Sequence, residues 1–286
     1  MHSPGKVAPE NCTVGRSPRP AFYCVFGQPF GRSPRLHFVT VYRAAVLLEF
    51  ALALATFLPL LFIPAPYGRY SRRGWGSTIP ARAGWVIMES PAVLFFATIY
   101  ALGSRRGEAV PVVLLCLWQL HYLQRTLVFP FRISPSKRTP VLIVLMAISF
   151  NVLNGFINAR WISEEGVYQP SWFADPRFLL GAALFGLGFV INITSDQILL
   201  RLRKPGDQGY HIPTGGLFNW VSCPNYLGEM VEWFGWALAT WSWAGLAFAL
   251  YTVANLAPRA LSHHAWYRQH FPNYPQDRKA LLPLLL

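Results

Sequence analysis

The chain has 286 residues, of which 53% are hydrophobic and only 13% are charged, and its formal net charge is +13. A soluble domain carries about a quarter charged residues, so this composition excludes an ordinary soluble protein and indicates a polytopic membrane protein. The basic residues cluster between apolar runs and form no RNP, helix-turn-helix or zinc-finger pattern. We therefore expect contacts with membrane lipid and no nucleic acid partner.

The chain divides into a polar start and a series of long apolar runs. Residues 1–36 are rich in proline, glycine, serine and arginine, so we expect a flexible N-terminal extension before a membrane domain at 37–286. The apolar runs comprise residues 39–64, 80–103, 110–131, 140–161, 176–202, 224–241 and 245–270. Many of them begin at a proline, which the first turn of a helix tolerates. The sequence predicts an all-α membrane bundle of about seven transmembrane helices.

The loops differ in their content of basic residues. Lysine and arginine are more frequent after the first, third and fifth runs and in the C-terminal tail than in the other loops. By the positive-inside rule, this distribution places the C-terminus in the cytosol. The basic N-terminal extension favours the opposite orientation.

The last three apolar runs carry polar residues that a membrane helix normally avoids. They are Asn192 and Asp196 in the fifth run, Asn225, Glu229 and Glu232 in the sixth, and His263 and Tyr267 in the seventh. A spacing of three or four residues puts the members of each group on one helix face. Each charged or amide side chain costs roughly 2–4 kcal/mol at membrane depth unless it faces a cavity or a partner. The pattern therefore predicts a polar chamber inside the bundle.

The loop at residues 201–216 combines groups that suit a phosphate. Arg203 and Lys204 supply positive charge, Tyr210 supplies an aromatic ring, and Gly215 and Gly216 let backbone N–H groups approach a ligand. The alternative is an ordinary basic loop at the membrane edge.

Further polar residues lie inside the earlier runs. Asn151, Asn154 and Asn158 recur at helical spacing, so they face the same chamber or form hydrogen bonds between helices. His121 and Arg125 share a helix face, where they could orient neighbouring side chains or touch a phosphate. Of these two, we interpret His121 as a structural residue. Glu49 in the first run has no assigned partner.

No glycine motif of a Rossmann domain follows a strand in this sequence. Gly181, Gly186 and Gly188 lie inside an apolar helix, where close packing between helices explains them better. His263 and His264 are adjacent, so on a helix they point about 100° apart and make a poor metal pair. We expect no metal site and no Rossmann domain.

Several motifs resemble one family in the same order along about residues 75–286. They include Asn192-Ile193-Thr194-Ser195-Asp196, Leu202-Arg203-Lys204-Pro205-Gly206, Asn225-Tyr226-Leu227-Gly228-Glu229 and His263-His264 with Tyr267. Earlier matches include Pro80-Ala81-Arg82-Ala83 with Glu89 and Pro91, and His121-Tyr122 with Arg125-Thr126. Together they are similar to the steroid 5α-reductase family (3-oxo-5-alpha-steroid 4-dehydrogenase), and we expect a bacterial member of it.

The resemblance implies a seven-helix membrane reductase that uses NADPH to saturate the C4–C5 double bond of 3-oxo-Δ4-steroids such as testosterone or progesterone. We expect a monomer in a bacterial inner membrane or an endoplasmic reticulum equivalent, with its cofactor site facing the cytosol. The chain departs from steroid-active relatives at Gln124, where histidine is frequent, and at Asn158, which replaces a glutamine. These departures concern the identity of the substrate more than the type of reaction.

The resemblance also implies roles for individual residues. Glu89 and Tyr122 would hold the 3-keto oxygen of the substrate. The residues expected to bind the cofactor are Arg125, Asn192, Asp196, Arg203, Tyr210, Asn225, Glu229, His263 and Tyr267.

Elementary chemistry agrees with the two catalytic residues. Hydride attack on the β-carbon of an enone develops negative charge on the distant carbonyl oxygen, so a catalyst needs hydrogen-bond donors there. The Tyr122 hydroxyl remains protonated at neutral pH. Glu89 lies in an apolar stretch, where desolvation favours its neutral, donating form. The alternative for Glu89 is a structural ion pair with a basic neighbour such as Arg125. Water or Tyr122 would supply the proton that the α-carbon needs.

Three other functions stay open at this point. A related bundle could reduce another lipid double bond, in a polyprenol or a long-chain enoyl thioester. A membrane methyltransferase using S-adenosylmethionine typically has an Arg-His-Pro motif, whereas this chain has Ser222-Cys223-Pro224. A transporter or channel would leave the basic loop at 201–216 unexplained.

Overall fold

The computed structural model describes residues 34–66, 68–70, 74–133, 137–202 and 209–285. Its helices are α1 (Pro34–Phe62), α2 (Ala81–Ala101), α3 (Ala109–Leu123), α4 (Phe129–Arg132), α5 (Val141–Arg160), α6 (Pro176–Arg201), α7 (Pro224–Thr240) and α8 (Trp243–His270). A π-helical turn at Gln124–Val128 joins α3 to α4, and another at Trp161–Glu165 extends α5. The described residues thus form seven long helical segments, which confirms the predicted all-α bundle.

Five of these segments are long and apolar enough to cross a membrane. They are Val39–Phe62, Ala81–Ala101, Ala109–Arg132, Val141–Glu165 and Pro176–Arg201. The remaining two are α7, which has 17 residues, and α8, whose C-terminal half carries basic and histidine side chains. The predicted extension at residues 1–36 lies almost entirely outside the described residues and stays a prediction.

A short antiparallel ribbon ties the beginnings of α2 and α5 together. Strand β1 (Thr78–Pro80) pairs with β2 (Arg138–Pro140), and the two helices start at the next residue in each case. The side chain of Arg138 reinforces the ribbon, because its Nε donates to Thr78 Oγ1 at 2.8 Å and its Nη2 to the Thr78 carbonyl at 2.6 Å. Beyond the ribbon the two helices run side by side in the same direction, since Gly84 faces Val144 near their beginnings and Asn151 reaches the Met88 carbonyl further along.

Glycines let α6 and α7 approach until their backbones touch. A Cβ atom at Gly188 would collide with the backbone nitrogen of Glu232, and one at Gly181 would collide with that of Ala239. On the opposite helix, Gly228 and Gly235 face the same contact. Close helix packing is thus confirmed for two of the three glycines singled out above. We call these four residues the glycine seam.

An aromatic core lies beside the seam, between α2, α3, α5 and α7. Trp118 is fully buried and contacts Phe96 at 4.3 Å, Trp236 at 5.2 Å and Trp233 at 5.4 Å between ring centroids. A buried indole N–H needs a hydrogen-bond acceptor, and those of Trp118 and Trp236 each have one. Trp118 Nε1 donates to the Ala92 carbonyl at 2.8 Å, and Trp236 Nε1 donates to Asn158 Oδ1 at 2.8 Å. The core therefore holds α2, α3, α5 and α7 in fixed positions.

The close contact at the glycine seam can be tested with a matched pair of substitutions. Gly188→Ala should destabilise the protein by about 1–3 kcal/mol, since overpacking a close contact has that cost. Gly186 lies two residues earlier in α6 on an exposed face, and a Cβ atom there meets nothing within 4 Å. Gly186→Ala should be neutral or slightly stabilising, because alanine favours the helix over glycine. Thermal unfolding of both variants in the same detergent measures the difference, and equal melting temperatures would contradict the seam.

Candidate active site

Asp196 on α6 is the centre of a cluster of hydrogen-bonded polar side chains from α6, α7 and the π-helical turn after α3, and we call this cluster the polar chamber. Its Oδ2 accepts from Arg125 Nη1 at 3.2 Å, and its Oδ1 accepts from Asn225 Nδ2 at 3.0 Å. Asn192 Nδ2 donates to the Asn225 carbonyl at 3.0 Å and lies 3.4 Å from Glu229 Oε2. The structure thus brings together five of the residues selected from the sequence as a cofactor site.

Arg125 connects this chamber to α2. Its guanidinium lies over the rings of Trp85, at 4.8 Å, and Phe129, at 4.7 Å, so two aromatic faces stabilise the charge. Trp85 precedes Glu89 by one helical turn and shares its face of α2. The ion pair of Arg125 is with Asp196, and no ion pair between Arg125 and Glu89 is found among the described residues. The geometry therefore does not support the alternative in which Glu89 forms a structural ion pair with Arg125.

Glu89 and Tyr122 both keep hydrogen-bonding capacity for a ligand. Asn151 Nδ2 donates to the Met88 carbonyl at 2.6 Å and to Glu89 Oε2 at 3.3 Å, so one amide orients the carboxyl group. Tyr122 is 4% exposed, and no described residue hydrogen-bonds its hydroxyl. The hydroxyl oxygen is not among the fully buried side-chain atoms that lack a partner, so it keeps accessible surface at which a ligand could bond to it. The predicted roles of the two residues stay predictions.

His263 on α8 belongs to a second polar group beside the chamber. Its Nδ1 lies 3.2 Å from the Tyr70 hydroxyl, and its Nε2 lies 3.2 Å from the Tyr226 hydroxyl, which also accepts from Arg259 at 2.9 Å. Burial raises the pKa of Tyr70 to about 12, so its hydroxyl stays protonated and can donate to the histidine. Tyr226 follows Asn225 in the chain, and it therefore links the two groups.

Arg69 completes this second group and was not among the individual residues expected to bind the cofactor. Its guanidinium lies 5.0 Å from the ring centre of Tyr210, 4.5 Å from that of Trp266 and 4.6 Å from that of Tyr267. Nη2 donates to the Tyr267 hydroxyl at 3.1 Å, while Nη1 is buried without a hydrogen-bond partner among the described residues. A buried guanidinium nitrogen with spare capacity is suited to an anion. The sequence signal that could have identified Arg69 is its position next to Tyr70 in a loop that borders the bilayer.

The basic loop at 201–216 is described only in part. Arg203 and Lys204 lie outside the described residues, so the role expected for Arg203 has no structural account here. The last part of the loop is fastened to the C-terminal tail, because Arg278 Nη1 donates to the Pro213 carbonyl at 3.1 Å. The structure thus holds Tyr210 next to α8, where its ring contacts that of Trp266 at 5.1 Å.

Glu232 does not join its neighbours in the chamber. The spacing placed it on the face of Asn225 and Glu229, but its Oε1 pairs with Nδ1 of His121 at 2.8 Å in the core. The two side chains are 0% and 3% exposed. Asn158 Nδ2 donates to Asn154 Oδ1 at 2.7 Å within α5. These two amides therefore take part in hydrogen bonds within and between helices, as the Trp236 contact also shows. Glu49 is fully buried, and no described residue hydrogen-bonds its carboxylate oxygens.

The segment that replaces the methyltransferase motif has a structural role. Ser222 Oγ lies 2.7 Å from His264 Nδ1 and 2.6 Å from the Tyr274 hydroxyl, and it donates to the Lys279 carbonyl at 3.0 Å. These contacts fasten the tail to α8. Within the described residues, no group of three or more histidine, cysteine or acidic side chains could hold a metal ion.

Comparison with known proteins agrees with the resemblance. Residues 137–286 match the family described as 3-oxo-5-alpha-steroid 4-dehydrogenase. The steroid 5-alpha-reductase DET2 of Gossypium hirsutum is 41% identical over 252 residues, which cover 86% of this chain and 98% of the relative. The 3-oxo-5-alpha-steroid 4-dehydrogenase 1 of Mus musculus is 46% identical over 245 residues, covering 85% and 96%. The protein of the same name from Homo sapiens is 45% identical over 221 residues, covering 77% and 85%. The chain therefore belongs to the 3-oxo-5-alpha-steroid 4-dehydrogenase family.

Proposed function

We propose that this protein is a membrane-bound oxidoreductase that uses NADPH to reduce the C4–C5 double bond of 3-oxo-Δ4-steroids to 5α-steroids. Relatives at 41–46% identity over most of the chain carry the names of this activity. The observation that carries the proposal is the polar chamber around Asp196 inside an apolar bundle, whose Arg125 lies over Trp85, one helical turn before Glu89. An apolar enone would reach such a place from the bilayer, and a polar cofactor would reach it from the aqueous side.

The carbonyl oxygen of the substrate is the group that the catalytic residues must bind. NADPH, when bound, supplies the hydride for the β-carbon. Negative charge then develops on the 3-keto oxygen, and neutral Glu89 and Tyr122 would both donate hydrogen bonds to it. The amide of Asn151, already bonded to Glu89, would hold the carboxyl group in place during this change. Water or the Tyr122 hydroxyl would provide the proton for the α-carbon.

The cofactor would extend from the chamber to the group around His263. Arg125, Asn192, Asp196, Asn225 and Glu229 supply polar atoms at membrane depth for its reacting end. Arg69 and Arg259 are fixed beside Tyr267 and Tyr226, so these cations are suited to its phosphates. The residues thus fit a dinucleotide held by helix-borne groups, and Arg203 would add a further contact from the basic loop.

The position in the membrane and the state of assembly are part of the proposal. The basic loops on one side of the bundle favour a cytosolic cofactor site, where NADPH is available. We expect a multi-pass protein that works as a monomer. Membership of a bacterial branch stays a prediction, since the relatives reported above are from a plant and from mammals.

The activity is tested directly with the purified protein in lipid nanodiscs. NADPH oxidation should depend on added testosterone or progesterone, and mass spectrometry combined with chromatography should identify the 5α-reduced steroid. Turnover of a polyprenol or a long-chain enoyl thioester, with none across a panel of 3-oxo-Δ4-steroids, would replace the proposal by the lipid-reductase alternative.

The oxyanion role predicts a specific loss in Tyr122→Phe. Removing one donor to a developing oxyanion costs about 10²–10³-fold in kcat, and NADPH affinity should not change. Glu89→Gln should also reduce kcat, because an amide is the weaker donor. Tyr100→Phe is the matched control, since it removes a hydroxyl that donates to the Arg106 carbonyl at 2.7 Å far from the chamber. Wild-type kcat in Tyr122→Phe would refute the role.

Phosphate binding by Arg69 predicts selective loss of one cofactor. Arg69→Ala should weaken NADPH more than NADH if the guanidinium contacts the 2′-phosphate, and a charge-assisted hydrogen bond of about 1.5–3 kcal/mol corresponds to roughly a ten- to hundredfold loss. Arg268→Ala is the control, because Arg268 is an exposed arginine on the same helix as Trp266. Titration with each cofactor measures both constants. Equal losses for the two cofactors would assign the 2′-phosphate to another residue.

A further inference from the structure

The pair formed by His121 and Glu232 has no role in the cofactor or oxyanion chemistry described above. It is buried in the aromatic core, with Nδ1 and Oε1 2.8 Å apart. Replacing a buried polar pair by apolar side chains of similar size is often neutral or stabilising. The presence of this pair inside the bundle therefore calls for an explanation other than stability.

The end of α3 is hydrogen-bonded to neighbouring helices on two sides, and the pair forms one of these contacts. On the side of α2, Trp118 Nε1 and Gln119 Nε2 donate to the carbonyls of Ala92 and Val93, at 2.8 and 3.1 Å. On the side of α7, His121 makes the hydrogen bond to Glu232. The last α-helical turn of α3 is therefore held from two directions immediately before Tyr122.

Tyr122 packs against the residues of that anchorage. Its ring lies among those of Trp118, His121 and Trp233, at 4.8, 5.0 and 5.7 Å between centroids, while no described residue hydrogen-bonds its hydroxyl. The π-helical turn starts two residues later, and such turns shift the helical register and recur at functional sites. Regular helix geometry on the C-terminal side therefore does not determine where the tyrosine points.

Glu232 itself has a fixed position. The backbone of α7 touches α6 at this residue, because a Cβ atom at Gly188 would collide with the Glu232 nitrogen. Because this stretch of backbone is held in place, the Glu232 side chain can hold the His121 ring in place through their hydrogen bond. The contacts thus run from the glycine seam through Glu232 and His121 to Tyr122.

We propose that His121 and Glu232 are positioning residues, which hold the Tyr122 hydroxyl where it donates to the substrate oxygen. The inference rests on the proposed function, because it assigns the pair to the oxyanion step of that reaction. Neither residue touches the substrate in this account.

Glu232→Leu and His121→Leu should each lower kcat by roughly ten- to a hundredfold, since misplacing a catalytic group by about 1 Å has an effect of that size. The dissociation constant of NADPH should stay near the wild-type value. Glu232→Gln should retain most of the wild-type kcat, because its amide oxygen still accepts from the Nδ1–H of His121. A glutamine variant as slow as the leucine variant would overturn positioning in favour of a role for the carboxyl proton or charge.

The deciding experiment introduces Glu232→Leu into Tyr122→Phe. If the pair acts through the tyrosine hydroxyl, the second substitution should lower kcat by less than about twofold further, as expected for residues that work as a unit. Equal fold-losses in both backgrounds would refute the proposal, because a general structural defect would act regardless of the hydroxyl. Should Glu232→Leu fail to fold, His121→Leu serves in the same cycle. Wild-type turnover in the same assay tests the proposed function separately.

Discussion

The close contact between α6 and α7 is the constraint on which the site depends. Two helices carry polar side chains at membrane depth, and each such group needs a partner there. The glycine seam brings the backbones together, so that Asp196 and Asn225 bond at 3.0 Å and Asn192 reaches the Asn225 carbonyl at the same distance. Larger residues in the seam would separate these groups and leave them unpaired. The close packing of small residues therefore lets polar side chains inside an apolar bundle find their hydrogen-bond partners.

The chamber and the group around His263 divide the binding of a long cofactor between them. The first lies among α3, α6 and α7 and contains mostly amides and carboxylates. The second is formed by α8, the beginning of α7 and two loops, and it contains Arg69, Arg259 and several tyrosines. A dinucleotide has a neutral reacting end and anionic phosphates, so this division matches its chemistry. The absence of a Rossmann domain among the described residues does not prevent such binding, because helix side chains supply the donors that glycine-rich loops supply elsewhere.

The helices and the chamber could be predicted because both depend on local patterns. Apolar runs and their first-turn prolines define the helix bounds to within a few residues, and spacing of three or four residues predicted the meeting of Asn192, Asp196, Asn225 and Glu229. The contact between His121 and Glu232 joins residues 111 positions apart, and no periodicity encodes it. Arg69 was missed for the same reason, since its aromatic neighbours come from a loop and a helix far along the chain. The expected role of Arg203 falls outside the described residues.

The ribbon of β1 and β2 has a mechanical consequence for the catalytic carboxyl group. Since α2 and α5 start from one pair of hydrogen-bonded strands, they can tilt together as one unit. Glu89 and Asn151 lie a similar number of residues from that shared base. Motions that admit a bulky hydrocarbon between other helices can therefore leave the separation of this carboxyl group and its amide unchanged.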